Sequence, residues 1–162
     1  ARATNSLPVP VSPVIRIVAL DGAARWHNSR ASLINGDSPM ISNLGMAFQV
    51  VDDILDFEAT ADEMGKPVGY DLAQGTITLP AIFLLERYPK GNPVVALFQG
   101  EKPEESRRKA IDMVHNSSII SDSYAVAEGF CHEALDALAI FPDSTYKQAL
   151  QEVASYVLDR HN

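Results

Sequence analysis

Three aspartates, Asp52, Asp53 and Asp56, lie close together in the run FQVVDDILD at residues 48–56. On a helix, Asp52 and Asp56 are one turn apart on the same face, and Asp53 lies about 100° around the axis. Carboxylates at this spacing repel one another unless a cation lies between them. Oxygen ligands on one face suit Mg²⁺, which commonly bridges to substrate phosphates. The run is therefore a candidate metal site, although an acidic stripe on an amphipathic helix is more often its solvated face.

A glycine-flanked loop follows the acidic run. Lys66 stands between Gly65 and Pro67, and Asp71 comes five residues later. A lysine ammonium is a compact cation that can reach phosphate oxygens, and Asp71 is placed to steady it. The next run, QGTITLP at residues 74–80, turns the chain into an apolar segment. The acidic run and the basic loop together predict half of a diphosphate-handling site.

Helices must position these residues. From Leu44 onward, apolar residues repeat at helical spacing, and proline and glycine interrupt the chain between the repeats. The sequence predicts about five helices within residues 41–162: one from residue 44 through the acidic run, then 79–85, 103–115, 121–140 with Ser121 or Asp122 as its cap, and 145–160. The basic triplet at 107–109, which follows Glu104, predicts a solvated helix face with a pair between Glu104 and Arg108.

Composition excludes several classes of protein. The chain has 162 residues, of which 46% are hydrophobic, enough for one packed domain. Its net charge of −8 argues against nucleic acid or an anionic membrane surface as a partner. No apolar run reaches the ~18 residues that a membrane span needs. The single cysteine, Cys131, permits no internal disulfide and is expected to be a small buried residue, so a reducing, cytoplasmic compartment is expected.

The first 40 residues differ from the rest. They contain four arginines and two acidic residues, whereas residues 41–162 carry a net charge of −10. The run PVPVSP at residues 8–13 cannot form the interior of a helix. The change of composition between Met40 and Leu44 favours an altered reading frame or a mis-spliced segment, with an arginine-containing transit peptide as the second explanation.

In this order and spacing, the motifs resemble those of the trans-isoprenyl (polyprenyl) diphosphate synthases. The resemblance rests on Phe-Gln-x-x-Asp-Asp-x-x-Asp at 48–56, Gly-Lys-Pro-x-Gly-x-Asp-Leu at 65–72 and Gly-x-x-Thr-Leu-Pro at 75–80. It covers residues 44–162 and implies an all-α fold, the C-terminal helices of an isoprenoid-synthase-type bundle, after an irregular and unmatched segment at 1–43. No counterpart of the family's first aspartate-rich motif is found, so the resemblance implies an incomplete enzyme.

The resemblance also implies catalytic and metal-binding roles. Asp52, Asp53 and Asp56 fall on the family's second aspartate-rich motif, which binds Mg²⁺ that bridges to an allylic diphosphate. Lys66 falls on a lysine that contacts the same diphosphate. The enzyme so implied is a transferase that joins the allylic diphosphate to isopentenyl diphosphate in isoprenoid biosynthesis.

Substrate-binding roles follow in the same way. Phe48 and Gln49 fall on the pair that lines the site ahead of the aspartates, Lys66 contacts the diphosphate, and Asp71 falls on the family's loop aspartate. The family implies a homodimer or a partner subunit.

Two alternatives stay open. A chain with one metal-binding face suits a non-catalytic subunit of a heteromeric polyprenyl diphosphate synthase. A terpene cyclase fragment also uses an aspartate-rich motif, but Ala125 stands where a cyclase triad has serine, and the Gly-Lys-Pro loop is not a cyclase feature.

Overall fold

A computed structural model describes residues 39–58 and 67–159. Within these ranges all regular structure is helical, with seven helices and no strand, which confirms the predicted all-α class. The helices are α1 (Pro39–Glu58), α2 (Tyr70–Ala73), α3 (Leu79–Arg87), α4 (Pro93–Phe98), α5 (Pro103–His115), α6 (Ile119–Leu138) and α7 (Thr145–Asp159). The proline-containing run at residues 8–13 lies outside the described ranges.

Helix α1 begins earlier than predicted. The sequence placed residues 39–43 in an irregular segment, and this was wrong, because Pro39 is the first residue of the helix. Proline suits a first helical turn, where its missing N–H has no intrahelical partner to lose. Asn43 follows on the buried face, where its Nδ2 donates to Glu133 Oε2 of α6 at 3.1 Å.

The core has two parts. Helix α1 packs along α6, its most extensive contact, and the apolar residues between them include Ala47, Val51 and Ile54. A second cluster surrounds Phe57, at the C-terminal end of α1, with side chains from α2 to α6. Helices α1, α3 and α6 contribute to both clusters. The last two turns of α1, which carry the aspartates, lie where the clusters meet.

The two short helices, α2 and α4, were not predicted. Helix α4 begins after Asn92, which is 3% exposed. The Asn92 side chain donates to the Leu84 and Tyr88 carbonyl oxygens at 2.8 and 3.0 Å, and its Oδ1 accepts from the Val94 N–H at 2.8 Å. One buried amide thus closes the end of α3 and caps α4.

Helix α6 starts at Ile119, two residues before the predicted cap. Ser118 is the N-cap residue, and its hydroxyl donates to Asp122 Oδ2 at 3.0 Å, so Asp122 belongs to the first turn and does not cap it. Arg87 of α3 pairs with the same carboxylate.

Cys131 is buried in the core, as predicted, and burial raises the pKa of its thiol. Among residues 39–58 and 67–159, no helix is both long enough and apolar enough to cross a membrane.

Candidate functional site

Asp53 is held between α1 and α3. Its Oδ2 accepts from the backbone N–H of Leu79 at 3.4 Å, and its Oδ1 accepts from Gln49 Nε2 at 3.5 Å. The pKa of Asp53 is raised to about 6: burial is the largest cause, the charges of Asp71 and Asp52 also raise it, and the two hydrogen bonds act in the opposite direction. Asp53 therefore lies in an acidic cluster, defined here as Asp52, Asp53 and Asp71.

Asp56 is directed toward the start of α2. Its carboxylate is buried, with Oδ1 accepting from the Tyr70 N–H at 3.1 Å and Oδ2 from the Asp71 N–H at 3.2 Å. Its backbone carbonyl accepts from the Gly69 N–H at 2.7 Å. The short helix thus begins on the Asp56 carboxylate, a structural contact that the sequence did not predict.

Asp71 joins the cluster from a second element. It lies in the first turn of α2, and Asp56 accepts its N–H, so the α1 carboxylate fixes the backbone that carries the Asp71 side chain. The Asp71 charge acts on Asp53. Carboxylates from two elements therefore meet at the C-terminal end of α1. Asp56 and Asp71, which are joined by a hydrogen bond, are 15 residues apart in the sequence.

Phe48 and Gln49 lie on the exposed side of α1, one turn before the cluster. Phe48 is 43% exposed, and Gln49 contacts Asp53 as described. Their predicted roles, lining the site and binding substrate, stay predictions. Lys66, the predicted diphosphate contact, lies outside the described residues.

Arg107 is a residue whose place the sequence did not reveal. The prediction of a solvated face is wrong for Arg107, whose side chain is only 19% exposed, although Arg108 and Lys109 are exposed. Arg107 Nη1 donates to the Val68 carbonyl oxygen at 3.2 Å, and Nη2 pairs with Glu104 Oε2 at 2.6 Å. The pair is therefore Glu104–Arg107, not Glu104–Arg108. The spacing of residues 107, 110, 111 and 114 is a signal that places Arg107 on the buried side of α5.

The donor chemistry of the acidic cluster fits a divalent cation. Carboxylate oxygens are the ligands that Mg²⁺ prefers, and Mg²⁺ is usually held by one or two carboxylates together with substrate phosphates. Burial and the neighbouring carboxylates Asp71 and Asp52 disfavour the charged form of Asp53, and a bound cation would favour it. Among the described residues, no three His, Cys, Asp or Glu side chains form a group that could hold a metal ion by themselves.

Comparison with known proteins identifies the family. The sequence model of the Polyprenyl synthetase family matches residues 23–114, more than half of the chain, so this chain belongs to that family. The match confirms the resemblance and favours a prenyltransferase over a terpene cyclase. It begins inside the segment that the motifs left unmatched, and the domain boundary at residue 43 stays a prediction.

Curated relatives are long-chain prenyl diphosphate synthases. Solanesyl-diphosphate synthase 2, chloroplastic, of Oryza sativa subsp. japonica is 42% identical over 118 residues, which are 73% of this chain and 29% of the relative. Heptaprenyl diphosphate synthase component 2 of Bacillus subtilis (strain 168) is 35% identical over 114 residues, 70% of this chain and 32% of the relative. The chain thus spans about a third of the length of these relatives. Because the rice name specifies the chloroplast, the cytoplasmic compartment stays a prediction.

Solved structures share the fold. Heptaprenyl diphosphate synthase from Staphylococcus aureus superposes with a TM-score of 0.69 and 28% identity, over 76% of this chain and 39% of that chain. Polyprenyl synthase from Caulobacter crescentus CB15, complexed with calcium and isoprenyl diphosphate, gives 0.65 and 28%, over 74% of this chain and 38% of that chain. The predicted isoprenoid-synthase-type bundle is confirmed.

Proposed function

We propose that this chain supplies the diphosphate-binding part of a prenyltransferase that condenses an allylic diphosphate with isopentenyl diphosphate. Membership of the Polyprenyl synthetase family supports the reaction class. The calcium and isoprenyl diphosphate of the Caulobacter protein support a divalent cation and a prenyl diphosphate as ligands.

The observation that carries the proposal is the convergence of carboxylates from α1 and α2. Asp53 keeps its place at a C-terminal helix end although burial, Asp71 and Asp52 all disfavour its charged form. A carboxyl group with a perturbed pKa, placed among other carboxylates, is typical of functional sites. A cation at the cluster offsets the repulsion between them.

Each predicted residue has a task in the proposal. Asp52 and Asp53 hold Mg²⁺ through carboxylate oxygens, with Gln49 and the Leu79 N–H orienting Asp53. Asp56 supports them, both as a further carboxylate and through the backbone of α2. When bound, Mg²⁺ stabilises the charge of the departing diphosphate.

Two residues complete the substrate contacts. Phe48 offers an exposed apolar surface for the prenyl chain one turn before the aspartates. Lys66 contacts the diphosphate as a point charge.

Isothermal titration of the full chain with inorganic pyrophosphate tests the cluster. We expect binding in the presence of Mg²⁺ and little without it. The double variant Asp52→Asn/Asp53→Asn should bind at least about tenfold more weakly. Asp136→Asn, an exposed acid on α6, is the matched control and should bind like the parent chain. Unchanged binding by the double variant contradicts the assignment of the aspartates.

We also propose that the chain acts together with a second polypeptide, either another copy or a different subunit of a prenyl synthase. The Bacillus relative is named as a component of its enzyme. Large apolar side chains near the C-terminal end are exposed, with Ile140 and Tyr146 both at 83%. Contiguous exposed apolar surface is typical of interaction sites.

The partner proposal predicts that the pure chain incorporates no radiolabelled isopentenyl diphosphate into a polyprenyl product. Activity should appear on mixing with a full-length family member, together with a larger species in sedimentation. Product formed by the pure chain contradicts the need for a partner, but not the role of the acidic cluster.

A further inference from the structure

Arg107 reaches from α5 to the segment between α1 and α2. Its Nη1 donates to the Val68 carbonyl oxygen at 3.2 Å, and Glu104 holds the other end of the guanidinium through Nη2 at 2.6 Å. The aliphatic part of the Arg107 side chain packs against Gly69, the residue after Val68. Its Cγ would lie 3.7 Å from a Cβ built at Gly69. An arginine with two anchored nitrogens and a packed stem has little rotational freedom, so it can fix the backbone that it binds.

Gly69 shows how closely this backbone approaches α5. Its φ is +68°, a conformation that favours glycine, and a Cβ there would lie 2.9 Å from Ile111 Cδ1. The Gly69 N–H donates to the Asp56 carbonyl at 2.7 Å. The segment 68–71 is therefore held from two sides, by α5 at Val68 and Gly69 and by Asp56 of α1 from Gly69 to Asp71.

The segment needs this restraint because it carries Asp71 toward other carboxylates. After burial, the charge of Asp71 is one of the causes that raise the pKa of Asp53. Repulsion between carboxylates acts against the three hydrogen bonds through which Asp56 holds this segment on α1. Arg107 supplies a cationic contact to this segment from a helix that contributes no member of the acidic cluster.

We propose that Arg107 is a positioning residue that fixes segment 68–71 and thereby keeps the Asp71 carboxylate at the acidic cluster, which tightens the binding of a divalent cation with diphosphate. The inference rests on the proposed function for its ligand. Its structural part, the restraint of segment 68–71, stands on the contacts of Arg107 alone.

Three variants of the full chain separate positioning from charge. Arg107→Met keeps the packed stem and loses the donors, and Arg107→Lys keeps the charge but not the two-nitrogen fork. Arg108→Gln removes one positive charge at an exposed position of the same helix. The contact with segment 68–71 that is described above is made by Arg107 and is left in place. Binding of inorganic pyrophosphate with Mg²⁺ is measured by calorimetry, and amide hydrogen exchange is followed by mass spectrometry.

Positioning predicts about tenfold weaker binding by Arg107→Met, an intermediate loss for Arg107→Lys, and less than about a twofold change for Arg108→Gln. Exchange in Arg107→Met should become faster at residues 68–72 and stay unchanged in the middle of α6, whereas a general loss of stability would raise both. Equal weakening by Arg108→Gln, with full binding by Arg107→Lys, would show that only charge matters and overturn the proposal.

The exchange experiment also distinguishes the two proposals from each other. If the parent chain binds no Mg²⁺–pyrophosphate, the proposed function fails, and exchange at residues 68–72 still decides whether Arg107 restrains the segment. Unchanged exchange at residues 68–72 in Arg107→Met overturns the positioning role. If the parent chain binds Mg²⁺–pyrophosphate, faster exchange in Arg107→Met together with equally tight binding by this variant also overturns it.

Discussion

Replacing Asp53 with asparagine should change the pH dependence of stability. The pKa of Asp53 rises from an ordinary 3.8 to about 6 on folding, chiefly because of burial. A raised pKa means that the folded state binds the proton more tightly than the unfolded state between these values. The contribution of this group to stability is therefore fully present below pH 3.8 and is lost as the pH rises through about 6.

The size of the effect follows from the same values. The difference between 3.8 and about 6 corresponds to about 3 kcal/mol. Because the carboxyl group is partly exposed, solvent screening reduces this to about 2 kcal/mol. Asparagine at position 53 cannot ionise, so Asp53→Asn should gain about 2 kcal/mol relative to the parent chain between about pH 4 and about pH 7.

Urea denaturation of both proteins across this pH range, in metal-free buffer, measures the difference in unfolding free energy. Any pH-independent effect of the amide shifts the difference in unfolding free energy by a constant, so it does not change how that difference varies with pH. Asp136→Asn, which removes an exposed acid on α6, is the matched control. A flat difference for Asp53→Asn would refute the inference that Asp53 is buried among like charges. Addition of Mg²⁺ with pyrophosphate should reduce the advantage of the variant, because the cation offsets the repulsion that asparagine removes.

Three further predictions concern contacts that support the site and the core. Asp56→Asn should lower the unfolding free energy by about 2 kcal/mol in urea titrations at neutral pH, because a carboxylate accepts two N–H groups better than an amide does; equal stability would show that the start of α2 does not depend on it. Asn92→Ala should cost about 3 kcal/mol in the same assay, because two buried carbonyl groups and one N–H lose their partner. Cys131 should react with a thiol reagent only at the rate of unfolding, because it is 2% exposed and burial raises its pKa; rapid labelling of the native protein would contradict its place in the core.

Apolar spacing, together with proline, acidic and capping residues at helix starts, was enough to predict five of the helices, α1, α3, α5, α6 and α7. Their lengths allow an apolar stripe to repeat, and proline or glycine separates them. The helices α2 and α4 have four and six residues, too few to show a period. In each, a side chain outside the helix accepts an N–H group of its first turn. Asp56 of α1 does so for α2, and Asn92, the residue just before the helix, does so for α4.

The site was predictable where it depends on one helix. Spacing alone placed Asp52, Asp53 and Asp56 around one end of α1. It did not reveal that the Asp56 carboxylate is occupied by backbone N–H groups 14 and 15 residues away, since such pairing depends on tertiary structure. Mutual repulsion suggests that asparagine at position 56 stabilises the chain, whereas these contacts predict the opposite.

Arg107 illustrates a signal that was present in the sequence but outweighed by a stronger one. Its position relative to Ala110, Ile111 and Val114 follows the buried stripe of α5, yet the adjacent Arg108 and Lys109 suggest an exposed basic cluster. Arg107 is partly buried, and the Val68 carbonyl and Glu104 satisfy its guanidinium. Charge runs along a helix should therefore be read residue by residue against the apolar stripe.

The most direct test of the central claim is a crystal structure of the chain grown with Mn²⁺ in place of Mg²⁺ and with inorganic pyrophosphate, in which anomalous scattering locates the metal. We expect a peak beside the carboxylates of Asp52 and Asp53, at metal–oxygen distances of about 2.1 Å, with the pyrophosphate on its far side. A metal and pyrophosphate bound elsewhere, with the acidic cluster empty at saturating concentrations, would contradict the account.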